Sequence, residues 1–196
     1  MPGIIVLRNG KELASVNSGD FNILTVNLHG DVSGEEFSNL EFTGGIYGQD
    51  DKDCHLIWIN SLDVLPSDSL EIRFVQSSPN DSKGQTIDEL FPGEKDQLKE
   101  DESLEEIFDS LVKLPKVRDC FNFAIEKPDG EVVRIRTSKT DWSYHCIAMW
   151  QSRKPEKLRV SLSSNELERI KNQENGAKHF EQAIFLGESI KIKFIT

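Results

Sequence analysis

The sequence has few cysteines, and their arrangement is not typical of a disulfide framework. Cys54, Cys120 and Cys146 are an odd number, and none belongs to a CxxC pair. Such usage is typical of reduced thiols, which behave as small buried hydrophobic side chains. The N-terminal residues also lack the charged and then apolar pattern of a secretion signal. We therefore expect a cytoplasmic protein.

Long apolar runs and an excess of positive charge are both missing. No stretch of about 18 apolar residues occurs, so no transmembrane helix is predicted. The chain has 34 acidic residues against 23 lysines and arginines, for a formal net charge of −11. This balance disfavours binding to nucleic acid or to an anionic membrane, which both need a surplus of cations. We expect neither as a partner.

Catalytic and cofactor-binding motifs are also absent. The sequence has no GxSxG elbow, no GxxxxGK[ST] phosphate loop and no GxGxxG turn. The acidic stretch from Asp51 does not fit a calcium loop, because Leu56 and Leu62 stand where Gly and Glu are needed. We therefore predict no catalytic residue, no metal ligand and no cofactor, and a protein that is not an enzyme.

What the sequence does contain is strand periodicity. Apolar and charged side chains alternate in residues 69–75, 157–162 and 189–195. A period of two predicts strands with one buried face and one face in solvent. The three tryptophans, Trp58, Trp142 and Trp150, suit core or strand packing, and the sequence does not say whether one of them lines a pocket instead.

Two parts of the chain resemble each other. Residues 69–75 match residues 189–195 at an offset of 120, and only Glu71 against Lys191 differs in character. Residues 9–11 align with residues 129–131 at the same offset. Between these anchors, residues 24–28 occupy a place similar to residues 145–149, at an offset of 121. The pattern predicts a divergent tandem repeat.

The predicted fold is mainly β with minor α, built from two similar antiparallel β lobes in a sandwich-like arrangement. Residues 1–77 form the first, acidic lobe and residues 119–196 the second, mildly basic lobe. Residues 78–118 form an acidic linker, flexible in its first part, with a helix at about 102–113. This helix is predicted from an apolar stripe, from Ser103 as its cap and from Pro115 at its end. We expect the stripe to dock on the lobes.

The first lobe also resembles a group of small uncharacterised bacterial proteins. The resemblance lies in the Asn9-Gly10-Lys11 hairpin, in His55-Leu56 followed by Trp58, and in the closing strand at 68–75. It covers residues 4–76 and recurs more weakly at 121–195, where no tryptophan matches Trp58. No activity is known to us for that group, so the resemblance implies a shared fold unit alone.

Charge is distributed unevenly along the chain. Residues 1–77 carry 12 acids and 4 bases, residues 78–116 carry 11 and 5, and residues 117–196 carry 11 and 14. Opposite charges on two surfaces favour association with a charged partner or with a second copy. The predicted partner-binding residues are the acids Asp50, Asp51, Asp53, Asp63 and Asp68 and the bases Arg134, Arg136, Lys191 and Lys193, with Lys157 and Arg159 expected beside the bases.

Three functions follow from these features. The first is a non-enzymatic protein-interaction module, such as an inhibitor or immunity-type protein that binds a basic effector. The second is a self-associating structural protein, in which the acidic lobe of one copy meets the basic lobe of another. The third is an enzyme with a site between the lobes.

Overall fold

The structure is a computed structural model that describes residues 1–34, 36–48, 53–93 and 103–195. Twelve strands and three short helices lie in these ranges. The strands are β1 (Gly3–Arg8), β2 (Lys11–Asn17), β3 (Ile23–Asp31), β4 (Asn39–Ile46), β5 (Cys54–Asp63), β6 (Ser69–Val75), β7 (Asn122–Glu126), β8 (Val132–Arg136), β9 (Ser143–Gln151), β10 (Lys157–Asn165), β11 (Ala177–Phe185) and β12 (Ser189–Phe194). The helices are α1 (Ile87–Leu90), α2 (Leu104–Lys113) and α3 (Leu167–Lys171).

The strands form two six-stranded antiparallel sheets. Sheet A has the order β2-β1-β6-β12-β7-β8, and sheet B has the order β11-β10-β9-β3-β4-β5. One cluster of buried apolar side chains, drawn from both sheets, forms the core between them. The predicted mainly β fold with minor helix is confirmed.

Each half of the chain contributes three neighbouring strands to each sheet. From edge to centre, the first half supplies β2, β1 and β6 to sheet A and β5, β4 and β3 to sheet B. The second half supplies β8, β7 and β12, and β11, β10 and β9, in the corresponding places. The halves meet where β6 pairs with β12 and where β3 pairs with β9. Both sheets therefore run through the two halves without a break.

The register at these two junctions is regular. Glu71 lies opposite Lys191 in sheet A, and Asn27 lies opposite Ile147 in sheet B, so both pairs are 120 positions apart. The alignment of residues 24–28 with residues 145–149 is wrong by one residue. Leu24 is buried whereas His145 is not, and a shift of one residue exchanges the two faces of a strand.

The alternation read from the sequence matches the burial in the structure. In β6, β10 and β12 the apolar side chains lie in the core, and the intervening residues are half-buried or exposed. Trp142 and Trp150 are buried in the core, and Trp58 packs against it. Among the cysteines only Cys146 is fully buried, and burial raises its pKa to about 12, whereas Cys54 and Cys120 are half-buried.

Helix α2 is confirmed close to its predicted bounds. Ser103 caps it, accepting a hydrogen bond from the Glu106 backbone N–H, while the Glu106 side chain accepts one from the Ser103 N–H at 2.9 Å. Phe108 is buried and Leu111 packs against the core, so the helix docks on its own protein as expected. No helix among the described residues has the length and apolar character needed to cross a membrane.

The linker differs from the expectation in its first part. Residues 78–86, which we call the covering segment, lie along the outer edges of β2 and β5. Ser82 N–H donates to Ser15 O at 2.7 Å, and Gln85 and Ile57 exchange two backbone hydrogen bonds of 2.9 Å. This part of the linker is fixed to both sheets, because its polar groups find partners on the two strands. The later part, residues 94–102, lies outside the described residues.

Candidate partner-binding surface

The four predicted basic residues lie on one surface. Lys191 and Lys193 are on β12, Arg134 and Arg136 are on β8, and β7 lies between the two strands. In one row across the sheet, Lys193 lies opposite Ala124, which lies opposite Arg134. We call Lys191, Lys193, Arg134 and Arg136 the basic face. It occupies the outer side of sheet A in the second half of the chain.

Strand periodicity places these side chains together. Ile190, Ile192 and Phe194 of β12 point into the core, so the lysines between them point outward. On β8, Val133 and Ile135 pack against the core, so the arginines on either side of Ile135 are exposed. The sequence predicted the alternation of β12 and named both arginines, but it did not predict that only one strand separates β12 from β8.

The positive charge of the basic face is only partly neutralised. Lys191 Nζ lies 3.1 Å from Glu126 Oε1, and Arg136 Nε donates to Cys120 Sγ at 3.3 Å. No described acidic side chain forms an ion pair with Lys193, Arg134 or Arg136. These three cations are therefore available to an acidic ligand.

The surface between the cations is shallow. A pit of about 150 Å³ lies around Ala124 and is lined by Lys191, Lys193, Glu126 and Val132. The methyl group of Ala124 leaves room between longer neighbours. A pit of this size fits one side chain rather than a whole cofactor, since sites for small molecules are typically about 300–1,000 Å³.

Lys157 and Arg159 do not belong to this surface, contrary to the sequence-based expectation. Both lie on β10 in sheet B, the opposite layer of the sandwich. Arg159 Nε is 2.6 Å from Glu181 Oε1 and so has an acidic partner of its own. Alternation identified the outward-facing residues, but the sheet to which each strand belongs depends on pairing between distant segments.

The five predicted acidic residues do not form a comparable surface within the described residues. Asp50 and Asp51 lie outside those residues. Asp53 immediately precedes β5 and Asp63 ends it, so the strand separates them by roughly 30 Å at about 3.3 Å per residue. Both are exposed.

Asp68 is a structural residue. Its side chain is only 5% exposed. It accepts hydrogen bonds from Asn9 Nδ2 at 2.6 Å and from Leu65 N–H at 2.8 Å, and it forms an ion pair with Arg8 at 2.5 Å. Burial alone would raise the pKa of Asp68, but the hydrogen bonds and the charge of Arg8 outweigh it, and the net pKa is lowered. This carboxylate is buried and makes its hydrogen bonds and its ion pair within the chain.

One polar cluster resembles catalytic machinery in composition but not in arrangement. Ser164 Oγ donates to Asp141 Oδ2 at 2.7 Å and lies 2.6 Å from His179 Nε2. In a catalytic triad the histidine stands between the acid and the serine, whereas here the serine stands between the other two. Ser164 is fully buried, so its hydroxyl is not accessible to a substrate. No local motif links these three residues in the sequence.

Other histidines also have identifiable partners. His29 and His145 stack at a ring distance of 5.9 Å in the centre of sheet B, and His29 Nε2 lies 3.7 Å from Glu41 Oε1. Burial and then the neighbouring His29 lower the pKa of His145. Within the described ranges, no group of three or more His, Cys, Asp or Glu side chains is placed to hold a metal ion.

Comparison with known proteins gives no further indication of function. No protein-family model, no curated protein and no solved structure matches this chain. The candidate surface therefore rests on the geometry and charge of the chain itself.

Proposed function

We propose that this protein is a non-enzymatic interaction module that binds an acidic segment of a partner protein through the basic face. The observation that carries the proposal is the convergence of four cations, three of them without an ion-pair partner among the described residues, on one side of a sheet. The strands already fix the backbone positions of these cations, so binding carboxylates requires only the ordering of their side chains.

The overall charge of −11 narrows the class of partner. Charges beyond about 8 Å are largely screened at physiological ionic strength, so a short acidic segment is attracted mainly by the nearby cations. A long polyanion would extend beyond the basic face and be repelled by the net negative charge of the protein. A protein partner with a local acidic segment therefore fits better than nucleic acid.

The unpaired cysteines favour a cytoplasmic setting.

The hypothesis of an inhibitor that binds a basic effector has less support. It requires a coherent acidic surface, and the acidic residues that can be located are either buried or far apart. With the basic face as the binding surface, the expected partner is acidic instead of basic. The class of function, a non-enzymatic interaction module, stays the same.

Paired charge reversals test the proposal. Lys193→Glu with Arg134→Glu reverses the basic face, and Lys157→Glu with Arg159→Glu makes the same change of net charge on sheet B. Each variant and the wild type would be used to capture proteins from a cell lysate, with washes at about 50 and 300 mM salt. We expect an acidic protein that is retained by the wild type and by the sheet B variant, released by high salt, and lost from the basic-face variant. Identical proteins on all three would contradict the proposal.

We also propose that the two halves arose by duplication. Support comes from the matching strand order of the halves in both sheets and from the sequence match of residues 69–75 with residues 189–195 at an offset of 120. The matched segments lie in β6 and β12, which occupy corresponding places in sheet A.

A further inference from the structure

The outer strands of the two halves differ in how they are covered. In the first half, the covering segment lies along the edge strands β2 and β5. Their counterparts in the second half, β8 and β11, each pair with one strand only, and no other described segment forms backbone hydrogen bonds along their outer edges. An uncovered edge has unpaired N–H and C=O groups that can pair with another chain.

The covered edge shows what this fold accepts at that position. Ser82 N–H donates to Ser15 O of β2 at 2.7 Å, and Ser15 N–H donates to Ser82 Oγ at 2.9 Å. Asn17 N–H of the same strand donates to the carboxylate of Asp81 at 3.0 Å. An extended polar segment with an acidic residue therefore covers the strand that corresponds to β8.

The open groups of β8 can be identified from its pairing with β7. The bonds Lys127 N–H to Glu131 O and Thr137 N–H to Phe121 O show that the odd-numbered residues of β8 point their backbone groups toward β7. Because this direction alternates along a strand, the N–H and C=O groups of Val132, Arg134 and Arg136 point to the open edge.

From these observations we infer that β8 takes up an acidic, extended segment of a partner protein as an additional antiparallel strand. The inference rests on the proposed function and specifies how the acidic segment is held. Every ladder in the two sheets is antiparallel, so we expect the same of the added strand.

The side chains of β8 determine the sequence pattern that fits. Residues opposite Arg134 and Arg136 lie on the outer face, where carboxylates complement the arginines. Residues opposite Val133 and Ile135 lie on the inner face, where apolar side chains extend the core. The partner segment therefore alternates acidic and apolar residues over about five positions, the length of β8. The other open edge, β11, carries both Lys178 and Glu181 and so has no such preference.

A nine-residue peptide of alternating glutamate and valine, blocked at both ends, is the probe for this inference. In an antiparallel pair, the residue opposite Arg134 exchanges both hydrogen bonds with it, so the glutamate N–H groups bond to β8 and the valine N–H groups point away. One methylated peptide carries N-methyl groups on the glutamates inside the sequence, and a matched control carries them on the valines. Both keep the charge of the parent peptide.

Binding of the three peptides to the wild-type protein would be measured by fluorescence anisotropy at about 50 mM salt. We expect the glutamate-methylated peptide to bind at least about ten-fold more weakly than the parent, since it loses several backbone hydrogen bonds to β8. The valine-methylated peptide should bind within about three-fold of the parent. Equal affinities for the two methylated peptides would overturn strand addition.

A change in the protein provides the second test. Val132→Pro removes one outward N–H at the first position of β8, where proline is tolerated, and Val132→Ala keeps it. We expect weaker binding of the parent peptide by the proline variant alone, with circular dichroism confirming that both variants are folded.

The outcomes separate the two proposals. If all three peptides bind equally, the basic face attracts acidic segments without strand pairing, and only the present inference fails. If none binds, or if a peptide of alternating lysine and valine binds as well as the parent, the proposed function fails as well.

Discussion

At the scale of single residues, Asp68 is a buried acid whose partners come from two separate parts of the chain. Its carboxylate connects β6 to the end of β1, through Arg8 and Asn9, and to the turn at Leu65. The sequence offered only an acid between two serines before a strand. Whether such an acid is exposed depends on which distant residues form hydrogen bonds or ion pairs with it. The sequence alone does not identify those residues.

We predict that Asp68→Asn lowers the free energy of unfolding by about 1–3 kcal/mol at pH 7, because it removes the charge that pairs with Arg8. Asp63→Asn, at an exposed position, should change it by less than about 0.5 kcal/mol. Urea unfolding followed by tryptophan fluorescence measures both. A loss at Asp63 as large as at Asp68 would contradict the assignment.

The effect of Asp68 should also depend on pH. Its pKa is lowered in the folded state, so its stabilisation is present above the unfolded pKa of about 3.9 and is lost as the pH falls through the folded value. The difference between wild type and Asp68→Asn should therefore shrink between about pH 5 and pH 2. A difference that is constant over this range would contradict the charged role of Asp68.

At the scale of elements, a structure that depends on neighbouring residues could be predicted from the sequence, whereas one that depends on contacts with distant strands could not. Helix α2 was predicted from the sequence because its N-cap residue, its apolar face and the proline that ends it all lie within one short segment. The covering segment was interpreted as flexible because its composition is typical of a linker. Its order comes from β2 and β5, which lie far from it in the sequence.

Gly84 provides a test of the covering segment. A Cβ atom there would lie 2.9 Å from Leu56 Cβ and 3.0 Å from the indole of Trp58, although the backbone angles of Gly84 suit any residue. Gly84→Ala should therefore lower the free energy of unfolding by about 1–3 kcal/mol through overpacking. Lys83→Ala, at the exposed neighbouring position, is the control.

The covering segment of the Gly84→Ala variant should also become accessible to proteases. Limited proteolysis with mapping of the cut sites measures this directly. Unchanged stability together with an unchanged cleavage pattern would show that residues 78–86 do not pack tightly against Trp58.

At the scale of the whole molecule, the sequence predicted two similar β halves but not how they combine. Alternation indicated which side chains point inward, and the match at 120 residues indicated the correspondence of the halves. The pairing of β6 with β12 and of β3 with β9 depends on hydrogen bonds between segments more than 100 residues apart. The basic face results from this pairing, so its members were predicted individually while its shape was not.

The junction in sheet A should depend on the charges at its centre. Glu71 lies opposite Lys191, and the hydrogen bond from Arg73, together with both cations, lowers the pKa of Glu71. We predict that Glu71→Lys and Lys191→Glu each destabilise the protein. The double variant should be more stable than the sum of the two changes predicts, by about 0.5–1 kcal/mol.

Urea unfolding of the four proteins in this cycle gives the coupling energy. Glu71→Lys combined with Arg134→Glu, three strands away, serves as the control and should show no coupling. Strict additivity in the first cycle would mean that the two charges do not interact across the junction.

Glu71 and Lys191 lie opposite each other where the two halves meet, and under the proposed duplication they are corresponding residues. In a symmetric pair of identical chains, a residue on the axis meets its own copy, so any charge placed there faces the same charge. When both halves are encoded in one gene, the two positions can mutate independently, and a glutamate can face a lysine. A single chain with two joined halves can therefore place opposite charges at this pair of positions, whereas a symmetric homodimer of the same shape cannot.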